Sequence, residues 1–260
     1  LTGRVDRVTI GAHDLEVVEI PGRRPGTPVL VFLHEGLGSA ALWRDFPASL
    51  AARTGCGALA FSRYGNGLSS TLSEPRTPTY MHDEALVALP RLLGEFGIDD
   101  AILVGHSDGA SIALICAAEH PAVVRGLVLE APHVFVEDLS VRSITAIRAE
   151  YESTSLRTRL GRYHADVDRT FYGWNDVWLS PHFRDWNIEA YVERVRAPVL
   201  ALQGVDDTYG TPAQIESIAR RAGGPVDRIL LTRCGHEPHR DRRPLVEAAA
   251  SAWIQDALRL

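Results

Sequence analysis

Apolar positions along the chain follow two rhythms. Over residues 4–20 apolar and polar side chains alternate on both sides of Gly11-Ala12, which predicts an antiparallel hairpin at a sheet edge. After a Pro/Gly/Arg turn at 21–28 the pattern changes to short, nearly unbroken apolar runs: Val29-Leu30-Val31-Phe32-Leu33, Ala58-Leu59-Ala60-Phe61, and the stretches 99–104, 125–130, 198–202 and 228–231. Such runs predict strands buried on both faces. Between them lie segments of helical period. These are 40–52, 80–96 with Leu86, Leu89, Leu93 and Phe96 and a kink expected at Pro90, 110–118, 213–222, and a last helix with Leu245, Ala249, Trp253 and Leu258 near one face. The segment 110–118 is apolar on nearly all sides and is therefore expected to be buried. Strands and helices in alternation imply an α/β fold, a mostly parallel central sheet with helices on both faces. The alternation stops between 134 and 195, which is helical in character and rich in Tyr, Trp and Phe. This predicts a helical cap, 134–195, inserted in a core made of 1–133 and 196–260.

Reactive groups in parallel sheets gather at the carboxyl ends of the strands. Here those ends carry His34-Glu35-Gly36, Arg63, Ser107, Asp206-Asp207 and, one loop further, His236. Ser107 sits in Gly105-His106-Ser107-Asp108-Gly109, between a predicted strand and a predicted helix. A chain that reverses there puts its middle residue at φ > 0, strained for anything but glycine, and holds the serine Oγ at a sharp tip. Gly105 and Gly109 fit because a side chain at either place would collide as strand and helix close up. A serine hydroxyl becomes a nucleophile once a base takes its proton and an acid orients that base.

Composition narrows the chemistry. A chain of 260 residues with 45% apolar and 23% charged residues is an ordinary globular domain with room for a large core. No apolar run approaches the ~20 residues of a membrane span, and Leu1-Thr2-Gly3-Arg4-Val5 has no apolar stretch of a secretion signal. Three scattered cysteines, Cys56, Cys116 and Cys234, suggest free thiols and a cytoplasmic location. A net charge of -6 argues against nucleic acid and anionic lipid as partners. The chain has no lysine, which excludes Schiff-base, pyridoxal-phosphate, Walker-A and Ser–Lys chemistry. The glycine-rich loop Ser62–Ser69 lacks the G-x-G-x-x-G spacing of a nucleotide site, and His236-Glu237-Pro238-His239 lacks the helical spacing of a zinc motif because Pro238 interrupts it. No cofactor and no metal is expected.

Five motifs then fall in one order: His34-x-Gly36, the R-x-G-x-G-x-S run Arg63–Ser69, G-x-S-x-G around Ser107, G-x-x-D ending at Asp207, and a late Gly235-His236. Together they resemble the α/β-hydrolase family, in particular its capped serine esterase and carbon–carbon-bond hydrolase branch, over nearly the whole chain. The resemblance implies Ser107 as nucleophile and His236 as base, with His239 as rival. It implies Asp207 as the acid, with Asp206 the alternative. The oxyanion donors it implies are the N–H of Asp108 and that of Gly36 or Leu37, and the R-x-G-x-G-x-S loop is expected to brace the core beside the nucleophile. A serine rather than an aspartate nucleophile argues against dehalogenase and epoxide hydrolase chemistry.

Two residues depart from the family pattern. Glu35 stands where glycine is common, and Asp108 follows the serine where Met, Gln or Leu is common. Carboxylates aimed at a developing oxyanion would raise the barrier, so both must be solvated, turned away, or neutralised, with Arg44 or Arg63 as candidates. For Asp108 an internal ion pair is expected. The substrate expected is a small molecule with an apolar acyl or alcohol group. Trp174 and Trp178 of the cap are the candidate substrate contacts, although most cap aromatics are expected to pack the cap on the sheet. Cap arginines Arg142, Arg148, Arg157, Arg159 and Arg162 could attract a carboxylate or simply form a solvated face. Three readings stand: ester hydrolysis, hydrolysis of a vinylogous diketone or lactone, and a non-catalytic receptor on the same fold.

Overall fold

The computed structural model describes residues 3–257; Leu1, Thr2 and Leu258 lie outside the described residues. Eight strands among them form one sheet in the order β1-β2-β4-β3-β5-β6-β7-β8. The alternating segment is the expected edge hairpin, β1 (Arg4–Ile10) against β2 (His13–Ile20), antiparallel with Arg4 opposite Glu19. β2 joins β4 (Gly57–Phe61) antiparallel. The unbroken apolar runs supply the parallel remainder: β3 (Val29–Leu33), β5 (Ala101–His106), β6 (Val124–Glu130), β7 (Val199–Gly204) and β8 (Val226–Leu231).

Period-two alternation divides each central strand between two cores. Leu30, Phe32, Ile102, Val104, Leu200 and Leu202 face the helices Phe46–Thr54 and Arg243–Ala257. Val31, Leu33, Leu103, Leu127, Leu129 and Ala201 face the opposite side, where the helices Asp108–Glu119 and Ala213–Arg221 pack. Trp174, Val177, Trp178, Phe183 and Val192, from the helical stretch between β6 and β7, belong to that second core. The stretch includes the helices Asp138–Ser153 and Val167–Leu179, and its apolar faces are continuous with the core beside the sheet.

Several expected boundaries shift for identifiable reasons. The 40–52 segment splits into a 3-10 turn, Ala40–Trp43, and a helix, Phe46–Thr54, because Arg44 turns at φ 54° and Pro47 is accommodated only in a first helical turn. The 80–96 segment is α over Tyr80–Asp83, π over Glu84–Ala88 and α again over Leu89–Glu95. Pro90 lacks the N–H that would close the preceding turn, and the widened π segment sits just ahead of it. On the last helix the buried face is Val246, Ala250, Trp253 and Ile254, while Leu245 is exposed. The face therefore lies one position further along than the sequence spacing suggested.

The strand order positions the chemistry. β3 lies between β4 and β5, which puts the ends bearing His34, Arg63 and Ser107 side by side. β6 and β7 follow, so the residues after Glu130 and Gly204 flank Ser107 on its other side.

Candidate active site

Ser107 adopts φ 53° and ψ -119° between β5 and the helix that starts at Asp108. The two neighbouring glycines are required by contact. A Cβ at Gly105 would lie 2.6 Å from the Ala110 Cα, and one at Gly109 would overlap the Leu33 carbonyl of β3. The turn can form only with both side chains absent, which explains how a strained serine is held in place.

The Ser107 hydroxyl donates to His236 Nε2 at 2.9 Å, and His236 Nδ1–H donates to Asp207 Oδ2 at 2.8 Å. Asp207 is buried and also accepts from Gln203 Nε2 at 2.7 Å and from the Tyr209 N–H at 2.7 Å. Burial pushes its carboxyl up, but His236 and the Tyr209 amide outweigh burial and hold it below the usual range. Asp206 is exposed, and its N–H bonds the Cys234 carbonyl, a turn contact. His239 does not reach Ser107. Its Nδ1–H and its backbone N–H both donate to Glu130 Oε2 at 2.8 Å. Glu130 thus pins the loop that carries His236, and His106 pins it again by donating from Nε2 to the His236 carbonyl at 2.6 Å.

On the other side of Ser107 the R-x-G-x-G-x-S loop holds the His34–Gly38 turn. Arg63 Nη2 donates to the Glu35 carbonyl at 2.9 Å and the His34 carbonyl at 3.3 Å, and Asn66 Nδ2 donates to the carbonyls of Gly36 and Gly38. The described peptides are trans, so an N–H points opposite to the C=O of the same unit. With the Glu35 carbonyl turned to Arg63, the Gly36 N–H is directed away from Arg63. Gly36 lines the cavity above Ser107, and Trp174 closes over it so tightly that a Cβ there would overlap the indole.

The two departing carboxylates both have partners. Asp108 is buried, accepts from the Tyr80 hydroxyl, and lies 3.8 Å from Arg63, which is equally buried; the partner is Arg63 rather than Arg44. Tyr80 in turn accepts from Trp178 Nε1 at 3.0 Å. Asp108→Ala would leave the Arg63 guanidinium buried without its counter-ion, an expected loss of about 3–5 kcal/mol of stability. A denaturation midpoint equal to that of the unaltered protein would show that the pair contributes nothing.

Glu35 lies 3.4 Å from His106 Nδ1. Burial alone would push His106 down, but Glu35, Glu130 and the His236 carbonyl outweigh it and raise the imidazole to about 9. Burial likewise pushes Glu35 up, and the facing His106 holds it well below the carboxylate range. A histidine raised above its unfolded value of about 6.5 stabilises fully below that pH, and the contribution disappears as pH rises through about 9. Melting temperature is therefore expected to fall between pH 6.5 and 9.5, by a stability of at most about 3 kcal/mol. Glu35→Gln should flatten that slope; an unchanged slope would assign the fall to other groups.

A cavity of about 630 Å³ opens over Ser107, His236, Gly36, Trp174 and Trp178. It is of the size that takes a small organic ligand. The Trp178 indole N–H is spent on Tyr80, so this ring offers the cavity a wall and no donor. Sequence reasoning did not find Tyr80, Gln203, Glu130 or His133 at this site; each is an ordinary polar residue within an element or just past its end, and only β6 ending near Ser107 singles out the last two. No group of three or more His, Cys, Asp or Glu arranged to hold a metal occurs among the described residues. No helix among them is long and apolar enough to cross a membrane.

Comparison with known proteins agrees with this architecture. The sn-1-specific diacylglycerol lipase ABHD11 of Danio rerio is 34% identical over 108 residues, 42% of this chain and 32% of that protein. The 2-succinyl-6-hydroxy-2,4-cyclohexadiene-1-carboxylate synthase of Enterobacter sp. (strain 638) is 32% identical over 123 residues, 47% of this chain and 45% of that protein. The matched part thus spans a third to a half of these curated relatives. The crystal structure of the enol-lactonase from Burkholderia xenovorans LB400 superposes with a TM-score of 0.74 at 15% identity, over 96% of this chain and 99% of that one, a likeness of fold. The sequence model described as the alpha/beta hydrolase family matches residues 30–250, and this chain belongs to that family.

Proposed function

We propose that this hydrolase cleaves a carboxylic ester of a small molecule through an acyl-enzyme, with Ser107 as nucleophile, His236 as base and Asp207 as the acid that orients it. The observation that carries the reading is the 2.9 Å and 2.8 Å hydrogen-bond chain Ser107–His236–Asp207 at the floor of a cavity. In the first step Ser107 Oγ bonds to the ester carbonyl carbon while its proton passes to His236 Nε2. The tetrahedral oxyanion is held by the N–H groups of Asp108 and Gly36, each worth about 3–4 kcal/mol of barrier. Collapse breaks the ester C–O bond, and the proton on His236 leaves with the alcohol. Water, deprotonated by His236, then attacks the acyl carbon; the carbon–Oγ bond breaks, the carboxylic acid leaves, and the proton on His236 returns to Ser107 Oγ. No step calls for a metal or organic cofactor.

Residues 134–195 act as the cap in this reading, with Trp174 and Trp178 as walls for an apolar acyl or alcohol group. A net charge of -6 disfavours nucleic acid as a partner. The free thiols Cys56, Cys116 and Cys234 support a cytoplasmic location. A second reading is hydrolysis of a carbon–carbon or lactone bond by the same three residues. A series of p-nitrophenyl esters set against a ring-cleavage dienone and a lactone separates the two. The decisive experiment labels the protein, Ser107→Ala and His236→Ala with a fluorophosphonate, then runs the ester series. Labelling of the unaltered chain alone, with ester turnover, is the expected outcome. No labelling and no burst with an activated ester would instead fit a receptor.

A further inference from the structure

His133 follows β6, within three residues of Glu130, and its ring is buried to 3% exposure yet lines the cavity over Ser107. The chain turns into this position through Ala131 at φ 47°, a strained conformation for a residue with a side chain. The backbone is then fastened on both sides. Ser111 Oγ donates to the His133 carbonyl at 2.6 Å, and the Val134 N–H donates to Gln214 at 2.8 Å. The ring meets Trp178 edge to face at 5.2 Å between centroids and lies 5.7 Å from the His236 ring. Strain and three-sided support thus hold an imidazole beside the proposed base.

That imidazole packs against Trp178 but leaves a polar atom unpaired. Nδ1 is buried without a hydrogen-bond partner, an uncommon and costly state for a buried polar atom. Burial, reinforced by the adjacent His236 ring, pushes the ring down to about 3, so it is neutral at working pH. A neutral imidazole carries one N–H and one lone pair. The Nδ1–Cε1 edge packs toward Gly210, where a Cβ would lie 3.3 Å from Cε1 and 3.6 Å from Nδ1. A lone pair left unpaired costs less than an unpaired N–H, so the proton belongs on Nε2, the nitrogen left for a ligand.

We infer that His133 is a specificity-determining residue whose Nε2–H donates to a second oxygen of the substrate, close to the scissile ester. The substrate class is therefore an oxygenated ester, one bearing a hydroxyl, carbonyl or further ester oxygen on the acyl or the alcohol side, in preference to a plain alkyl ester. This rests on the esterase reading given above and names the substrate class for that same site.

The test uses matched esters: ethyl hexanoate, ethyl 3-hydroxyhexanoate, ethyl 3-oxohexanoate and 2-hydroxyethyl hexanoate. For the unaltered protein kcat/KM should be about three- to tenfold higher for one or more of the oxygenated esters than for ethyl hexanoate, the worth of one hydrogen bond. His133→Phe keeps an aromatic ring against Trp178 and removes the donor, and should bring that ratio to about one. His133→Gln, which keeps an N–H of similar reach, should recover part of it. A structural role alone would change all four rates together and leave the ratio unmoved. Hydrolysis of all four at equal kcat/KM by the unaltered protein would overturn the inference and leave the esterase reading standing. No hydrolysis of any would overturn both. Because the unaltered protein supplies the first ratio, a poorly folding variant does not block the test.

Discussion

Replacing Ser107 with alanine is expected to lower kcat for an activated ester by about 10⁴–10⁶-fold, and to abolish fluorophosphonate labelling, without unfolding the protein. The size follows from non-additivity: once the nucleophile is gone, the base and its acid have no proton to move, and only binding and the oxyanion donors remain. The fold should tolerate the change because the hydroxyl adds little packing to a turn built from the contacts of Gly105 and Gly109. Ser107→Gly separates strain from chemistry. At φ 53° and ψ -119° a glycine relieves the backbone, so stability should rise by about 1 kcal/mol while activity is equally lost. Steady-state turnover with p-nitrophenyl esters and denaturation midpoints read both. Turnover surviving in Ser107→Ala would remove the covalent mechanism.

Asp207→Asn should lower kcat/KM by about 10⁴-fold, and Asp206→Asn by less than about twofold. The contrast follows from hydrogen-bond direction. Gln203 and the Tyr209 N–H already donate to the Asp207 carboxylate, whose remaining acceptor capacity serves His236 Nδ1–H. An amide in that place turns a donor toward His236 and favours the tautomer whose Nε2 carries the proton, and that form cannot accept from Ser107. Asp206 is exposed and touches none of these groups through its side chain. The reverse pattern of losses would transfer the acid role to Asp206.

Much of the architecture was legible because the strands here are buried on both faces. Such strands must be apolar throughout, so Val29–Leu33 and Ala101–Val104 announce themselves without any neighbour in view. The elbow was legible for a related reason: Gly105 and Gly109 are imposed by a local steric requirement. The hairpin of β1 and β2 followed from its period of two. Helix ends were less legible. The break at Arg44 and the π segment before Pro90 depend on how each helix is seated on the sheet, which a periodic pattern does not record.

The sequence by itself determined the class of fold, the strained serine and a short set of polar residues placed at strand ends, because each rests on chemistry within a few neighbouring residues. Only the tertiary structure decided among the members of that set. It put Asp207 against His236 and left Asp206 in solvent; it gave His239 to Glu130, and matched Asp108 with Arg63 and Glu35 with His106. It also exposed His133 as a buried ring whose Nδ1 meets no hydrogen-bond partner. The physical reason is that a buried polar group is defined by what it meets, and residues as distant as Ser107 and His236, 129 positions apart, meet only after β5, β6 and β7 are laid side by side.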